Sequence, residues 1–241
     1  MKKLIQLLYL FIFINVSFGQ SSLDSLRLVL PEGHKSFLHS ADFSPDGKLV
    51  VTSSADNTAR IYEVISGKEL QLLSGHTGSV NSAVFSPNGK LVITASDDNT
   101  ARIYEVISGN TLQVLSGHSD WVNSAVFSPD GKLALTASNN DNISRIFDVS
   151  TGQELQKLDG GNSAVFSPDG KLVITASDDN TARIYGVTSG NALQVLSGHS
   201  DWVNSAVFSP DGKLALTASN DNTARIYEVI SGNELQVLRG H

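Results

Sequence analysis

Cysteine is absent from the 241 residues, which excludes disulfide staples and a diacylglycerol anchor, so the fold must be held by packing alone. Positive charge is scarce: 17 Lys and Arg stand against 24 Asp and Glu, a formal net charge of −7. A nucleic-acid partner is therefore not expected. Because no block of like charge occurs, the acidity reads as a solvated surface rather than an interaction tail. Long apolar runs are also missing. The nearest, Leu4 to Val16, is interrupted by Gln6 and Asn15 and falls short of the roughly 18 to 20 residues a spanning helix requires. Lys2 and Lys3 before it, with Ser17 and Gly19 after it, give the layout of a secretory signal peptide. Residues 1–19 are expected to be cleaved after Gly19, leaving an exported chain, secreted or periplasmic, with no membrane insertion.

What the sequence does have is repetition. SGHSDWVNSAVFSPDGKLALTASN occupies residues 116–139 and returns unchanged at 197–220. Gly33-His34, Gly75-His76, Gly117-His118 and Gly198-His199 each open a segment, and a degenerate Gly160-Gly161 stands where the fourth opening falls. The period is about 40 residues, in the range of stacked supersecondary units. Residues 81–139 and 162–220 differ only at Asn88/Asp169, Glu105/Gly186, Ile107/Thr188 and Thr111/Ala192, the mark of a two-repeat block copied whole. Within one period VNSAVF, KLVITAS, TARIYEV and TLQVL are short runs rich in Val, Ile and aromatic residues, punctuated by Ser-Pro-Asn-Gly, Asp-Asp-Asn and Ser-Gly. They predict a four-stranded antiparallel meander. Strict alternation along the first run puts Val80, Ser82 and Val84 on one face and Asn81, Ala83 and Phe85 on the other. Such a sheet has two apolar faces and must be sandwiched, which predicts an all-β stack.

The Gly-His opening, the VNSAVFSPDGK turn, the Asp/Asn-Thr stretch and the aromatic-acidic pair after it resemble WD40 repeats, over residues 33–241. The resemblance implies a β-propeller of five four-stranded blades, residues 33–74, 75–116, 117–159, 160–197 and 198–239, followed by the start of a sixth. It also implies a hydrogen-bonded set in every blade, linking the histidine, a Ser or Thr of the second strand, an Asp of the following turn and the aromatic of the Trp-Asp pair. Carried over, the set is His34, Thr52 and Asp56; His76, Thr94 and Asp98; His118, Thr136 and Asp141; Thr175 and Asp179; and His199, Thr217 and Asp221. The Trp-Asp pair itself is replaced by Tyr62-Glu63, Tyr104-Glu105, Phe147-Asp148, Tyr185-Gly186 and Tyr227-Glu228, so the aromatic is expected to act mainly by packing. The fourth repeat has no histidine. Asp179 is expected to lack a partner, and this blade, with a tight opening loop, to show the least protection against hydrogen exchange. Residues 20–32 hold a lone strand, LDSLRLVLPE, of the kind that closes a WD40 ring, yet the fifth repeat already has its own fourth strand, NELQVL. The expectation is an incomplete ring of a larger propeller, with open ends available for self-association.

Residues that carry chemistry are few. Five of the six histidines follow the repeat glycine, one per blade, and do not converge as metal ligands would. Asp97-Asp98-Asn99 lacks the ligand spacing of a calcium loop and reads as a hairpin turn. No nucleophile elbow, phosphate loop or His-Glu-x-x-His is present, so no catalytic residue, metal or cofactor is assigned. Arg60, Arg102, Arg145, Arg183 and Arg225 recur once per blade and admit two readings, a basic ring for an anion or ordinary pairing with nearby acids. Phe37, Trp121 and Trp202, each four residues after its repeat glycine, are the candidate partner-binding residues, with Asp120 and Asp201 beside the tryptophans. The resemblance puts them on one face of the propeller. Their rings either anchor a protein partner or cover the neighbouring loop; two matching patches suit a repetitive or multivalent partner. The sequence thus points to an exported, non-catalytic protein-protein interaction scaffold. Beside it stand two other readings, the binding or sensor portion of a longer exported hydrolase with its catalytic domain downstream, and a degenerate fragment without function.

Overall fold

The computed structural model describes residues 33–240. The signal-peptide assignment and the lone strand of residues 20–32 lie outside the described residues. Within them every regular element is a β-strand, and the strands form five antiparallel meanders. Blade 1 consists of β1 (Leu38–Phe43), β2 (Leu49–Ser54), β3 (Ala59–Glu63) and β4 (Glu69–Leu73). Blade 2 consists of β5 (Val80–Phe85), β6 (Leu91–Ser96), β7 (Ala101–Glu105) and β8 (Thr111–Leu115). Blade 3 follows with β9 (Ser124–Phe127), β10 (Leu133–Ser138), β11 (Ile143–Asp148) and β12 (Glu154–Asp159). Blade 4 contains β13 (Ser163–Phe166), β14 (Leu172–Ala176), β15 (Ala182–Gly186) and β16 (Ala192–Leu196), and blade 5 contains β17 (Val203–Phe208), β18 (Leu214–Ser219), β19 (Ala224–Glu228) and β20 (Glu234–Leu238).

The strands end where the backbone must reverse. At the first turn of blade 2 the Gly89 N–H donates to the Ser86 carbonyl at 2.8 Å, and Asn88 Oδ1 accepts from the Ser86 hydroxyl and the Lys90 N–H. Gly89 sits at φ +68°, a left-handed conformation that costs glycine nothing. At the second turn the same region is held by asparagine: Asn57, Asn99, Asn142, Asn180 and Asn222 have φ between 52° and 70°, tolerated because a short polar side chain can bond locally there.

Packing between blades differs from strict alternation in one respect. The register of β5 on β6 shifts between Val80 and Ser82, a β-bulge at Asn81. The bulge brings Val80 to the same side as Ala83 and Phe85, all facing blade 1, while Val84 faces blade 3. One extra residue turns every side chain before it to the other face. Each interface then uses one residue set. Val51, Ala59, Ile61 and Leu73 of blade 1 meet Val80, Ala83, Phe85, Val92, Tyr104 and Val106 of blade 2, and the equivalent residues meet at the next three interfaces. Each buried Val, Leu, Ile or Phe stabilises the stack by roughly 1.5–3 kcal/mol. No apolar cluster of the described residues joins blade 5 to blade 1, so the five sheets form an open arc.

Ile103 is fully buried between blades 2 and 3, whereas Ile226 holds the same place on the uncovered side of blade 5 and is partly exposed. Ile103→Ala is expected to cost about 2–5 kcal/mol of stability and Ile226→Ala far less, as read by urea denaturation of dilute protein.

Candidate functional site

In an antiparallel meander, the blade-to-blade connections and the second-to-third-strand turns lie at one end of the strands, here the upper end. The other two turns of each blade lie at the lower end. At the upper end four histidines clasp the two loops together. His76 Nδ1–H donates to Asp98 Oδ2 at 2.8 Å, and its Nε2 lies 2.7 Å from the Thr94 hydroxyl. Asp98 Oδ2 also accepts the Thr77 N–H, and Oδ1 accepts the Thr100 N–H and hydroxyl. His34 joins Asp56 and Thr52, His118 joins Asp141 and Thr136, and His199 joins Asp221 and Thr217 in the same way.

Burial holds His76 and His118 below the usual imidazole range, and the neighbouring carboxylates offset this only in part. The rings are therefore neutral near pH 7, with Nε2 accepting from threonine. Burial alone would raise Asp56, Asp98 and Asp221. Hydrogen bonds to each carboxylate from a threonine hydroxyl, a histidine and a backbone N–H outweigh it and hold all three below the usual carboxylate range. The Thr-His-Asp order resembles a nucleophile, base and orienting acid. Thr94, Thr136 and Thr217 are nevertheless buried, at 0–1% exposure, and a hydroxyl sealed under its own loop meets no substrate. The clasp joins the opening loop of a blade to its second turn.

Blade 4 corrects an expectation. Asp179 is not without a partner: Arg183 donates to its Oδ2 at 2.5 Å, and the Thr181 hydroxyl and N–H bond Oδ1. The reason lies on the next strand. In blades 1, 3 and 5 the third-strand arginine pairs with a fourth-strand glutamate, Arg60 with Glu69, Arg145 with Glu154 and Arg225 with Glu234. In blade 4 that glutamate is Ala192, so Arg183 turns to the aspartate that has no histidine. Thr175, likewise without its histidine, donates to the Asp159 carbonyl at 2.7 Å. In blade 2 the glutamate position is Thr111, and Arg102 has no carboxylate partner among the described residues. The aromatic positions also do more than fill space: Tyr104, Tyr185 and Tyr227 donate to the carbonyls of Ser74, Asp159 and Ser197 at 3.0–3.2 Å, whereas Phe147 only packs. Besides these backbone bonds, Tyr62, Tyr104 and Tyr227 interact with the hydroxyls of Thr52, Thr94 and Thr217 in the histidine set.

The candidate contact residues also lie at the upper end. Trp121 and Trp202 are each 51% exposed and Phe37 83%. Their backbones are pinned. Asp120 and Asp201 accept the N–H of the tryptophan that follows at 2.7 Å, Asn140 donates to Asp120, and the Trp202 carbonyl accepts from Asn220. The Trp121 N–H, with Asn140, holds Asp120 below the usual carboxylate range. The result is two indole rings on a hydrogen-bonded backbone, each half in water and each beside a carboxylate. At the lower end, Phe127, Pro129, Phe166, Pro168, Phe208 and Pro210 line an apolar recess of about 430 Å³ on the inner edge of blades 3 to 5, with no converging acid or base.

The family description "WD domain, G-beta repeat" matches five consecutive stretches, residues 25–63, 67–105, 109–148, 152–186 and 190–228, together most of the chain. No curated protein matches the chain. The chain belongs to the WD40 repeat family.

The four matched stretches that begin within the described residues each start in the turn before the fourth strand of one blade and end on the third strand of the next, so the WD40 repeat straddles the interface between blades. One feature of that interface escaped the reading of the sequence. Gln71, Gln113, Gln156 and Gln194 on the fourth strands each donate, at 2.5–3.2 Å, to a carbonyl in the following blade's last turn, those of Ile107, Ser150, Thr188 and Ile230. The signal was present, since glutamine holds this position in all five repeats. An exposed polar residue on an outer strand simply gave no reason to read it as a bond between WD40 blades.

Thr94→Val keeps the shape of the side chain but leaves the buried His76 Nε2 without a donor, and is expected to cost about 1–3 kcal/mol. Thr175→Val should cost less, because the Asp159 carbonyl keeps the Tyr185 hydroxyl; thermal melts of the two variants compare them. A folded-state pKa below the unfolded value means that the unfolded chain takes up the proton first. The contribution of His76 and His118 is therefore complete above about pH 6.5 and declines below it, and that of Asp56, Asp98 and Asp221 is complete above about pH 4 and lost on further acidification. A pH series of melting temperatures should be flat from about pH 7 to about 9, fall below about 6.5 and fall more steeply below about 4, and decline again above about 10, where unfolded tyrosine ionises before buried Tyr104, Tyr185 and Tyr227.

Proposed function

We propose that this WD40 chain is an exported, non-catalytic scaffold that presents two matching Trp-Asp contact patches, Trp121 with Asp120 and Trp202 with Asp201, to a protein partner. The observation that carries the reading is the combination of exposure and rigidity. Large rings held on a fixed backbone and half in water lose little entropy when a partner covers them, the usual property of an interface anchor. The carboxylates beside them favour a partner with basic groups around an apolar socket. Because the two patches stand two blades apart in identical sequence contexts, a partner with repeated motifs would gain avidity from engaging both. Phe37 takes the equivalent place in blade 1 and extends the surface.

The signal-peptide layout of residues 1–19 supports export. Of the described residues, no helix is long and apolar enough to cross a membrane, and the acidic charge balance disfavours nucleic acid.

Trp121→Ala with Trp202→Ala is expected to reduce capture of a partner at least tenfold relative to either single change, with melting temperature unchanged, when pull-downs from the exported fraction are compared. Equal capture by the double variant sinks the reading. Export is tested separately by mass spectrometry of the protein recovered outside the cytoplasm, whose first residue should be Gln20.

A further inference from the structure

The two ends of the arc are the two halves of an interface that the chain already builds four times. We infer that they bind each other between copies, the uncovered face of blade 5 on one molecule docking on the uncovered face of blade 1 on the next.

The apolar content of both faces matches the interior. Leu216 and Ala218 of blade 5 occupy the positions of Ile93 and Ala95, which are fully buried against blade 3, yet Leu216 is 41% exposed. On blade 1, Ala41 and Phe43 occupy the positions of Ala83 and Phe85; Phe85 is 7% exposed and Phe43 63%.

The polar content matches independently. Four glutamines bridge to the next blade, and the fifth, Gln236, has no side-chain hydrogen bond among the described residues. Its missing acceptor is the carbonyl of Ile65, the blade 1 equivalent of Ile107 and Ile230. The shape of the backbone repeats as well. A Cβ added to Gly109, Gly152, Gly190 or Gly232 would fall 2.1–2.9 Å from the carboxamide oxygen of the preceding blade's glutamine, whereas Gly67 of blade 1 has nothing within 4 Å. A Cβ on Gly89, Gly131, Gly170 or Gly212 would lie 3.4–3.7 Å from the preceding blade's proline, and Gly47 of blade 1 again has nothing within 4 Å. Blade 1 thus keeps the two turns against which a preceding blade's glutamine and proline pack, at Gly67 and Gly47, and blade 5 keeps the glutamine and proline, Gln236 and Pro210, that would pack there.

The occupant is therefore a second copy of this chain, because these are the contacts of an existing interface, position by position. Such a contact joins two different faces and is heterologous, so it propagates until a ring closes or a filament grows. The tryptophan patches lie at the upper end and not on these faces, so this inference stands apart from the proposed partner surface.

The test is sedimentation velocity on the full chain over a concentration series, with Ala218→Arg to block the blade 5 face and Ala41→Arg to block the blade 1 face. Both alanines are exposed in the single molecule, and both have counterparts at 0–3% exposure in the interior, so arginine is accommodated in one copy and excluded from the joint. The expected result is assembly of the unaltered chain that grows with concentration, monomers for each variant alone, and a two-copy complex and nothing larger from an equimolar mixture of the two. The Trp121→Ala, Trp202→Ala double variant should assemble like the unaltered chain. An unaltered chain that stays monomeric throughout, a single blocked variant that still assembles, or a mixture that stays monomeric would each overturn the inference.

Discussion

A four-stranded sheet with strands of four to six residues has too little area to fold alone, and in this chain both of its faces are apolar, so each sheet gains its stability by burying a face against a neighbour. That constraint shapes the rest of the molecule. It explains why the repeats must be consecutive and similar, since one face has to fit the other again at every step. It also explains why the largest fully buried side chains, among them Tyr104, Ile103, Leu115, Phe147 and Tyr227, stand between sheets rather than within one. Inside an interface the fit extends to glutamine on carbonyl and proline on glycine, which keep the register and spacing constant from blade to blade.

The histidine clasp is a second tier that depends on the first. Stacking brings the opening loop of a blade over its second turn, and the His, Thr and Asp side chains then satisfy each other where water is excluded. Because an unpaired buried group costs more than a made bond returns, the loss of one member has to be met elsewhere. Blade 4 shows this plainly: with its histidine replaced by Gly161 and its glutamate by Ala192, the stranded arginine and the stranded aspartate meet each other. The same logic separates a structural part from a reactive one. The clasp has the members of a catalytic relay, but in blades 2, 3 and 5 its threonine is buried and its polar atoms hold loops.

What faces water is then free to vary or to serve. The tryptophans at 121 and 202 leave about half of their surface in water, while hydrogen bonds hold their backbones. Function in such a protein lives on a surface that the packing holds still.

The sequence by itself determined the number of sheets, their strand order and the turns, because those depend on local pattern: β-branched runs, Pro-Asp-Gly and Asp-Asn-Thr turns, and a period that brings like residues into like places; the members of the clasp came from the resemblance to WD40 repeats. It could not reveal the bulge at Asn81, which moves Val80 to the other face through a single shift in hydrogen-bond register. Nor could it show that Arg183 finds Asp179, since the choice depends on which of two carboxylates is present within reach in three dimensions. The bridges from Gln71 to Ile107 and from Gln194 to Ile230 join residues 36 apart in the chain. Only the stacking of one blade on the next brings such pairs together, and local preference carries no information about a neighbour that arrives from the following repeat.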